Sequence, residues 1–236
     1  MLQQIDLTIL QFFTQLGGNT PAFDQLVVLI VSNDLVKGGP ILAFLWWFWF
    51  KPDPAQHSRR EIIISCMFAA LIAAAASRGL AHAVMIHQRP FLIPGLLISH
   101  PMQELWEDKA SSFPSDHAAL AFALVTGLFL ISRKIGLAMG VYALALVGIP
   151  RMYLGIHWPS DVLGGVALGI GMAALLSREP IRTGLATPVN RFCDRSPHAF
   201  YVLAFFMSFG MMTRFDSARA LLKWAETALR AGIAGG

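Results

Sequence analysis

Apolar stretches of near membrane-spanning length recur along the chain, at about 35 to 50, 62 to 81, 117 to 132, 135 to 150, 160 to 177 and 197 to 213. A helix that crosses a bilayer needs about 20 mainly apolar residues, and its backbone polar groups must be satisfied within the segment. The recurrence points to an all-α fold, a polytopic membrane helical bundle of about six transmembrane helices. Polar helix ends and flanking aromatic or basic anchors accommodate the shorter stretches. With 56% hydrophobic and 14% charged residues, the chain exceeds the apolar content of an ordinary soluble domain.

Both ends read differently. Leu2, Ile5, Ile9, Phe12, Phe13 and Leu16 form a stripe at helical spacing beside Gln3, Gln4 and Gln11, as in an interfacial helix over about 2–16. Residues 23 to 31 are apolar enough to extend the first span, but Asp34 and Lys37 argue against continuity. Leu221, Leu222, Trp224, Ala225 and Leu229 alternate with basic residues, which predicts an amphipathic surface helix over about 215–231. No basic residue precedes Lys37, so the start lacks the charged region of a cleavable signal peptide and the first helix is expected to remain. Residues 1–236 read as one integral membrane domain.

The net charge of +4 comes from bases that cluster between spans, which favours membrane topology over nucleic acid as its explanation. Lys51, Arg59 and Arg60, then Arg133 and Lys134, then Arg178, Arg182, Arg191 and Arg195 predict cytoplasmic connections. The loops 82 to 116 and 151 to 159 then face the other side, the periplasm in a bacterium. Cys66 inside a span and Cys193 in a short basic loop are not expected to pair.

Those two outward loops hold the chemistry. Arg89-Pro90, then Phe113-Pro114-Ser115-Asp116-His117, then Pro150-Arg151 with His157 and Asp161 describe a phosphate-handling site. Arg89 and Arg151 each offer a planar fork of donors to phosphate oxygens, while His117 and His157 can supply, in some order, a general acid and a nucleophile. Ser115 opens an apolar helical run, whose N-terminal backbone donors suit phosphate. His157 and Asp161 are four apart, so the carboxylate can orient the imidazole. No HExxH, Cys cluster or dense carboxylate set is present in the sequence, so no metal or other cofactor is expected.

In order and spacing, these segments resemble the three motifs of the type 2 phosphatidic acid phosphatase (PAP2) superfamily over roughly residues 60 to 175. Three positions depart from its pattern: His82 stands for a Lys, Asp116 for a Gly and Pro150 for a Ser. The Pro-Ser-Asp-His core is similar to the bacterial undecaprenyl-diphosphatase branch linked to bacitracin resistance, and Pro-Arg is closer to the lipid A phosphotransferase branch. The resemblance implies a PAP2/haloperoxidase-like core, a lipid phosphate substrate, and a phosphohistidine intermediate on His157 oriented by Asp161. His117 is then the proton donor, with Arg89, Arg151, Ser115, Asp116 and His82 around the phosphate. Arg78, four residues before His82, is the other group able to stand in for the Lys. Undecaprenyl diphosphate is the favoured substrate in the inner membrane. Phosphotransfer, action on phosphatidylglycerol phosphate or phosphatidate, and noncatalytic lipid binding or transport are the alternatives. Binding alone would need the arginines and not the acid and nucleophile.

Other residues have plainer readings. His57, His87, His100 and His198 show no partner spacing and read as loop or interface histidines. Trp46, Trp47 and Trp49 read as interfacial belt residues, and Gly164, Gly165, Gly169 and Gly171 as contacts for close helix packing. The loop from 91 to 112 turns from apolar to acidic, as expected of a segment resting on the bilayer beside the site.

Overall fold

Helix α5 (Asp116–Ile131) is apolar on nearly every face and is enclosed by its neighbours in the computed structural model, which describes residues 2–16, 21–96, 111–213 and 224. Small residues on α5 or on its neighbours let three other helices approach. A methyl at Gly127 would lie 2.9 Å from the Cys66 side chain on α4 (Gln56–Ala83). Against α8 (Pro159–Leu176) the fit is closer: Cβ atoms at Gly165 and Gly169 would lie 2.3 Å from the Ser115 and Ala119 carbonyl oxygens. On α6 (Arg133–Ala143), a Cβ at Gly136 would lie 2.2 Å from the Phe129 backbone. Gly164 makes room for the Phe113 ring, whereas Gly171 faces open space and takes no part in packing. These contacts place α5 between the helices that carry the other two motifs.

Each of the six apolar stretches is helical. Among the described residues, α4, the continuous run Arg133–Tyr153 and α8 are long and apolar enough to cross a membrane singly. Helices α2 (Pro21–Ser32) and α3 (Asp34–Phe50) qualify together with a 54° bend between them, and α5 and α10 (Pro197–Met212) are shorter apolar helices. The bend falls where Asp34 and Lys37 interrupt the apolar run. Asn33 caps α3 through the Val36 N–H, and Lys37 Nζ donates to the Val31 carbonyl at 2.6 Å while pairing with Asp34 at 2.7 Å. A buried ammonium is tolerable there because the break exposes carbonyls to receive it.

Helix α1 (Leu2–Gln15) turns one narrow stripe inward, while Gln3, Gln4, Thr8, Gln11 and Gln15 are exposed. Asp6, Leu10 and Thr14 are buried, while Ile5, Ile9, Phe12 and Leu16 face outward. The predicted C-terminal amphipathic helix and most of the 91 to 112 loop lie outside the described residues.

Two local readings change. The basic connection that holds Arg182, Arg191 and Cys193 is a helix, α9 (Ile181–Arg195), because Ile181, Leu185, Val189 and Phe192 recur at helical spacing. Cys193 is therefore in a helix rather than a loop, and both cysteines are buried and free. Trp49 is also no belt residue: it is 3% exposed, with the Arg60 guanidinium 4.9 Å above its ring. The chain divides into two compact units, Met1–Asn190 and Arg191–Gly236. Within the first, the ends of α4, α5 and α8 that carry the motifs lie together, and the basic connections at 51–55 and 132–134 lie at the opposite ends of those helices.

Candidate active site

The third motif begins in a widened helical turn. Residues Leu144–Gly148 are π-helical between α6 and α7 (Ile149–Tyr153), just before Pro150, which has no N–H to continue the ladder. Arg151 Nη1 donates to the Val147 carbonyl at 2.9 Å, so the guanidinium itself satisfies a carbonyl of that turn. Arg151 is only 1% exposed. The chain then reverses at Gly155, whose φ of +65° suits glycine, and the Ile156 and His157 N–H groups return to the Arg151 carbonyl. Arg89 reaches the same turn, with Nη1 3.3 Å from the Ile156 carbonyl, and the Phe91 N–H donates to Gly155 O at 3.0 Å. Both arginines are thus held against the loop that presents His157.

His157 is buried, with Nδ1 2.9 Å from the Ser112 carbonyl and 3.6 Å from Asp161 Oδ2. A carbonyl oxygen only accepts, so Nδ1 carries the hydrogen and the neutral ring's lone pair is on Nε2. Burial holds the His157 pKa below its ordinary value, and the positive charges of Arg89 and Arg151 act in the same direction against the opposing pull of Asp161. The ring is consequently neutral at pH 7.

Asp161 is completely buried. Oδ2 accepts the Trp158 N–H at 2.8 Å, which closes the first turn of α8, and Oδ1 lies 2.7 Å from His87 Nδ1. The sequence reading placed His87 among the loop histidines; the fold brings it onto the carboxylate that also faces His157. Two serines make this possible. Ser111 Oγ lies within hydrogen-bond distance of the Ile86, His87 and Phe113 N–H groups, and the Ser112 N–H donates to the His87 carbonyl at 2.9 Å. Segments 84–89 and 111–113 are therefore stitched together, and the Ser112 carbonyl is aimed at His157. A Ser-Ser pair directly before Phe113-Pro114 was the available signal, and its value depends on a partner 24 residues away.

Ser115 caps α5 by accepting from the Ala118 N–H at 3.4 Å, and its own N–H donates to the Asp161 carbonyl at 3.0 Å. The His117 N–H is taken by Asp116 Oδ1 at 2.8 Å. The Ser115, His117 and Ala118 N–H groups at this helix start are thus engaged within the fold. His117 is buried, with Nδ1 2.7 Å from Asp116 Oδ1, and Asp116 Oδ2 meets Arg78 Nη1 at 3.0 Å. Asp116 faces two cationic or donor groups, an environment suited to a carboxylate orienting its neighbours. His82 is exposed near the end of α4, one turn beyond Arg78. The fold accordingly gathers Arg89, Ser115, Asp116, His117, Arg151, His157 and Asp161, adds Arg78 and His87, and leaves His82 at the rim.

The chain has relatives among known proteins. Over 172 residues, 72% of this chain and 80% of the relative, it is 26% identical to YbjG of Escherichia coli, provisionally named an undecaprenyl-diphosphatase. Over 164 residues it is 29% identical to the undecaprenyl-diphosphatase BcrC of Bacillus subtilis, covering 69% of this chain and 78% of that one. It is 27% identical over 205 residues, 81% of each chain, to the lipid A 1-diphosphate synthase of E. coli. No solved structure matches. The model of the PAP2 superfamily matches residues 62–181, which span all three motifs, and the chain belongs to that superfamily.

Proposed function

We propose that the protein hydrolyses the terminal phosphate of a lipid-linked diphosphate, with undecaprenyl diphosphate as the leading substrate, through a phosphohistidine on His157. One observation carries this reading: His157 donates Nδ1–H to the Ser112 carbonyl with Asp161 behind it, so a lone pair on Nε2 is available in a buried, neutral ring. Attack by Nε2 forms the N–P bond as the P–O bond to the leaving group breaks, and His117 supplies the proton that the leaving oxygen takes up. Arg89 and Arg151 balance the charge on the nonbridging oxygens. Water then attacks the phosphohistidine, giving up a proton to the now neutral His117 as the N–P bond breaks, which releases phosphate and restores both histidines. With phosphate charge met by two guanidiniums, the chemistry proceeds without a metal ion. The basic connections at the far ends of the helices support a site on the periplasmic side of a bacterial inner membrane.

The names of YbjG and BcrC support undecaprenyl diphosphate. A second reading, transfer of the phosphoryl group to a lipid acceptor, is favoured by Pro150-Arg151 and by the similarity to lipid A 1-diphosphate synthase across 81% of the chain. Purified protein offered undecaprenyl diphosphate, phosphatidic acid, phosphatidylglycerol phosphate and lipid A, with free phosphate and phosphorylated lipid both measured, tests the two. Release of free phosphate fastest from undecaprenyl diphosphate is expected. Phosphorylated lipid A without free phosphate would establish transfer instead.

A further inference from the structure

Asp116 stands where the superfamily pattern has Gly, and His82 where it has Lys. Asp116 is met not by His82 but by the cation one turn before it. Arg78, one turn before His82 on α4, pairs with Asp116 Oδ2 at 3.0 Å, and Asp116 Oδ1 holds His117 Nδ1 at 2.7 Å. Arg78 is 38% exposed, Asp116 17% and His117 7%, so the line runs from the rim of the site into its interior. We infer that Asp116 and Arg78 are a positioning pair for His117, the carboxylate fixing the ring and the guanidinium fixing the carboxylate. A cation one turn before the first motif then acts here through the general acid and not on the phosphate.

The chemistry follows from the anchoring. A carboxylate accepts the Nδ1 hydrogen in either protonation state of the ring, so the proton that moves is the one on Nε2. As the P–O bond breaks, its electron pair stays on the leaving oxygen, the Nε2 proton passes to that oxygen, and His117 becomes neutral. Without Asp116 the ring is free to rotate or to adopt the tautomer with no hydrogen on Nε2, by analogy with the Asp–His pair of hydrolytic triads. Arg78 holds the other carboxylate oxygen and prevents Asp116 from swinging away. A competing account makes Asp116 simply an acid in the first turn of α5, favourable to the helix dipole. That role affects stability and is blind to the leaving group.

The inference rests on the reading of His117 as proton donor, and the leaving group separates the two. A lipid monophosphate expels an alkoxide that needs protonation, whereas p-nitrophenyl phosphate expels a phenolate that scarcely does. Relative to the roughly 100- to 10,000-fold attributable to a general acid, Asp116→Ala is expected to lower kcat on the monophosphate by about 10- to 100-fold, with little change for p-nitrophenyl phosphate and in KM for either. Asp116→Asn, which keeps an acceptor oxygen, should lose less. Arg78→Ala should share the selectivity and add nothing in the Asp116→Ala background, as coupled residues do. Melting in detergent identifies any variant that fails to fold, and Asp116→Asn then carries the test. Equal losses on both substrates, or a raised KM alone, would overturn the pair while His117→Ala still discriminates. If His117→Ala itself fails to discriminate, the proton-donor reading falls and the positioning role falls with it.

Discussion

The main-chain N–H of Ser115 donates to the main-chain carbonyl of Asp161 at 3.0 Å, so the second and third motifs are joined by backbone before any side chain is considered. The bond is possible because Gly165 and Gly169 let α8 lie directly on α5. Gly165→Ala would put a methyl 2.3 Å from the Ser115 carbonyl oxygen, which is backbone and cannot rotate away. Overpacking of this kind is expected to cost about 1–3 kcal/mol and to lower kcat by separating His117 from His157. Gly171→Ala, which meets open space, should retain activity. Thermal melting and kcat measured on the two variants check this.

His157→Ala is expected to abolish turnover and to leave no acid-labile, base-stable phosphoenzyme with any substrate. His117→Ala should still form one from a diphosphate, whose phosphate leaving group needs less help. Rapid quench with labelled substrate measures both, and label trapped on His117 in the His157→Ala protein would reverse the roles.

Burial lowers the His157 pKa, so the nucleophile stays deprotonated below its ordinary value of 6.5. The acid limb of kcat/KM should therefore lie below pH 6.5, with activity lost as pH falls through the lowered value. Asp161 pulls that value upward, so Asp161→Asn should move the limb to still lower pH while reducing kcat. A limb that moves to higher pH in Asp161→Asn would show that another group is being titrated.

Activity should survive EDTA and be inhibited by vanadate, whose adduct on a nucleophilic histidine resembles the transition state. Loss in chelator with recovery on adding magnesium or zinc would recast His157 and Asp161 as ligands.

A cysteine at exposed Met85 should react with an impermeant reagent in intact cells, and one at exposed Ser58 should not, in a background without Cys66 and Cys193. The opposite pattern would put the site on the cytoplasmic side.

The spans and the three motifs were legible because apolar length and residue spacing are local properties. Asp34 and Lys37 announced a break in the first apolar run, though a 54° bend is set by what receives the Lys37 ammonium. His87 was unreadable for the converse reason: its partner, Asp161, lies 74 residues away, and only the Ser111 and Ser112 contacts bring the two segments together. Arg78 was readable as one of two possible stand-ins for a Lys, but its attachment to Asp116 depends on how α4 meets the start of α5. Long-range pairings of polar side chains leave no periodic trace.

Asp6 receives both the N–H and the hydroxyl of Ser160, at 2.9 and 2.6 Å, one residue before Asp161. Helix α1, which precedes the matched family region, is thereby moored to the first turn of the helix that holds the orienting carboxylate. Its outward side chains Ile5, Ile9 and Phe12 ride on whatever surrounds the protein. A detergent or lipid that shifts this float drags on its mooring, so catalytic rates compared between micelles and bilayers will include a contribution from the surrounding amphiphile.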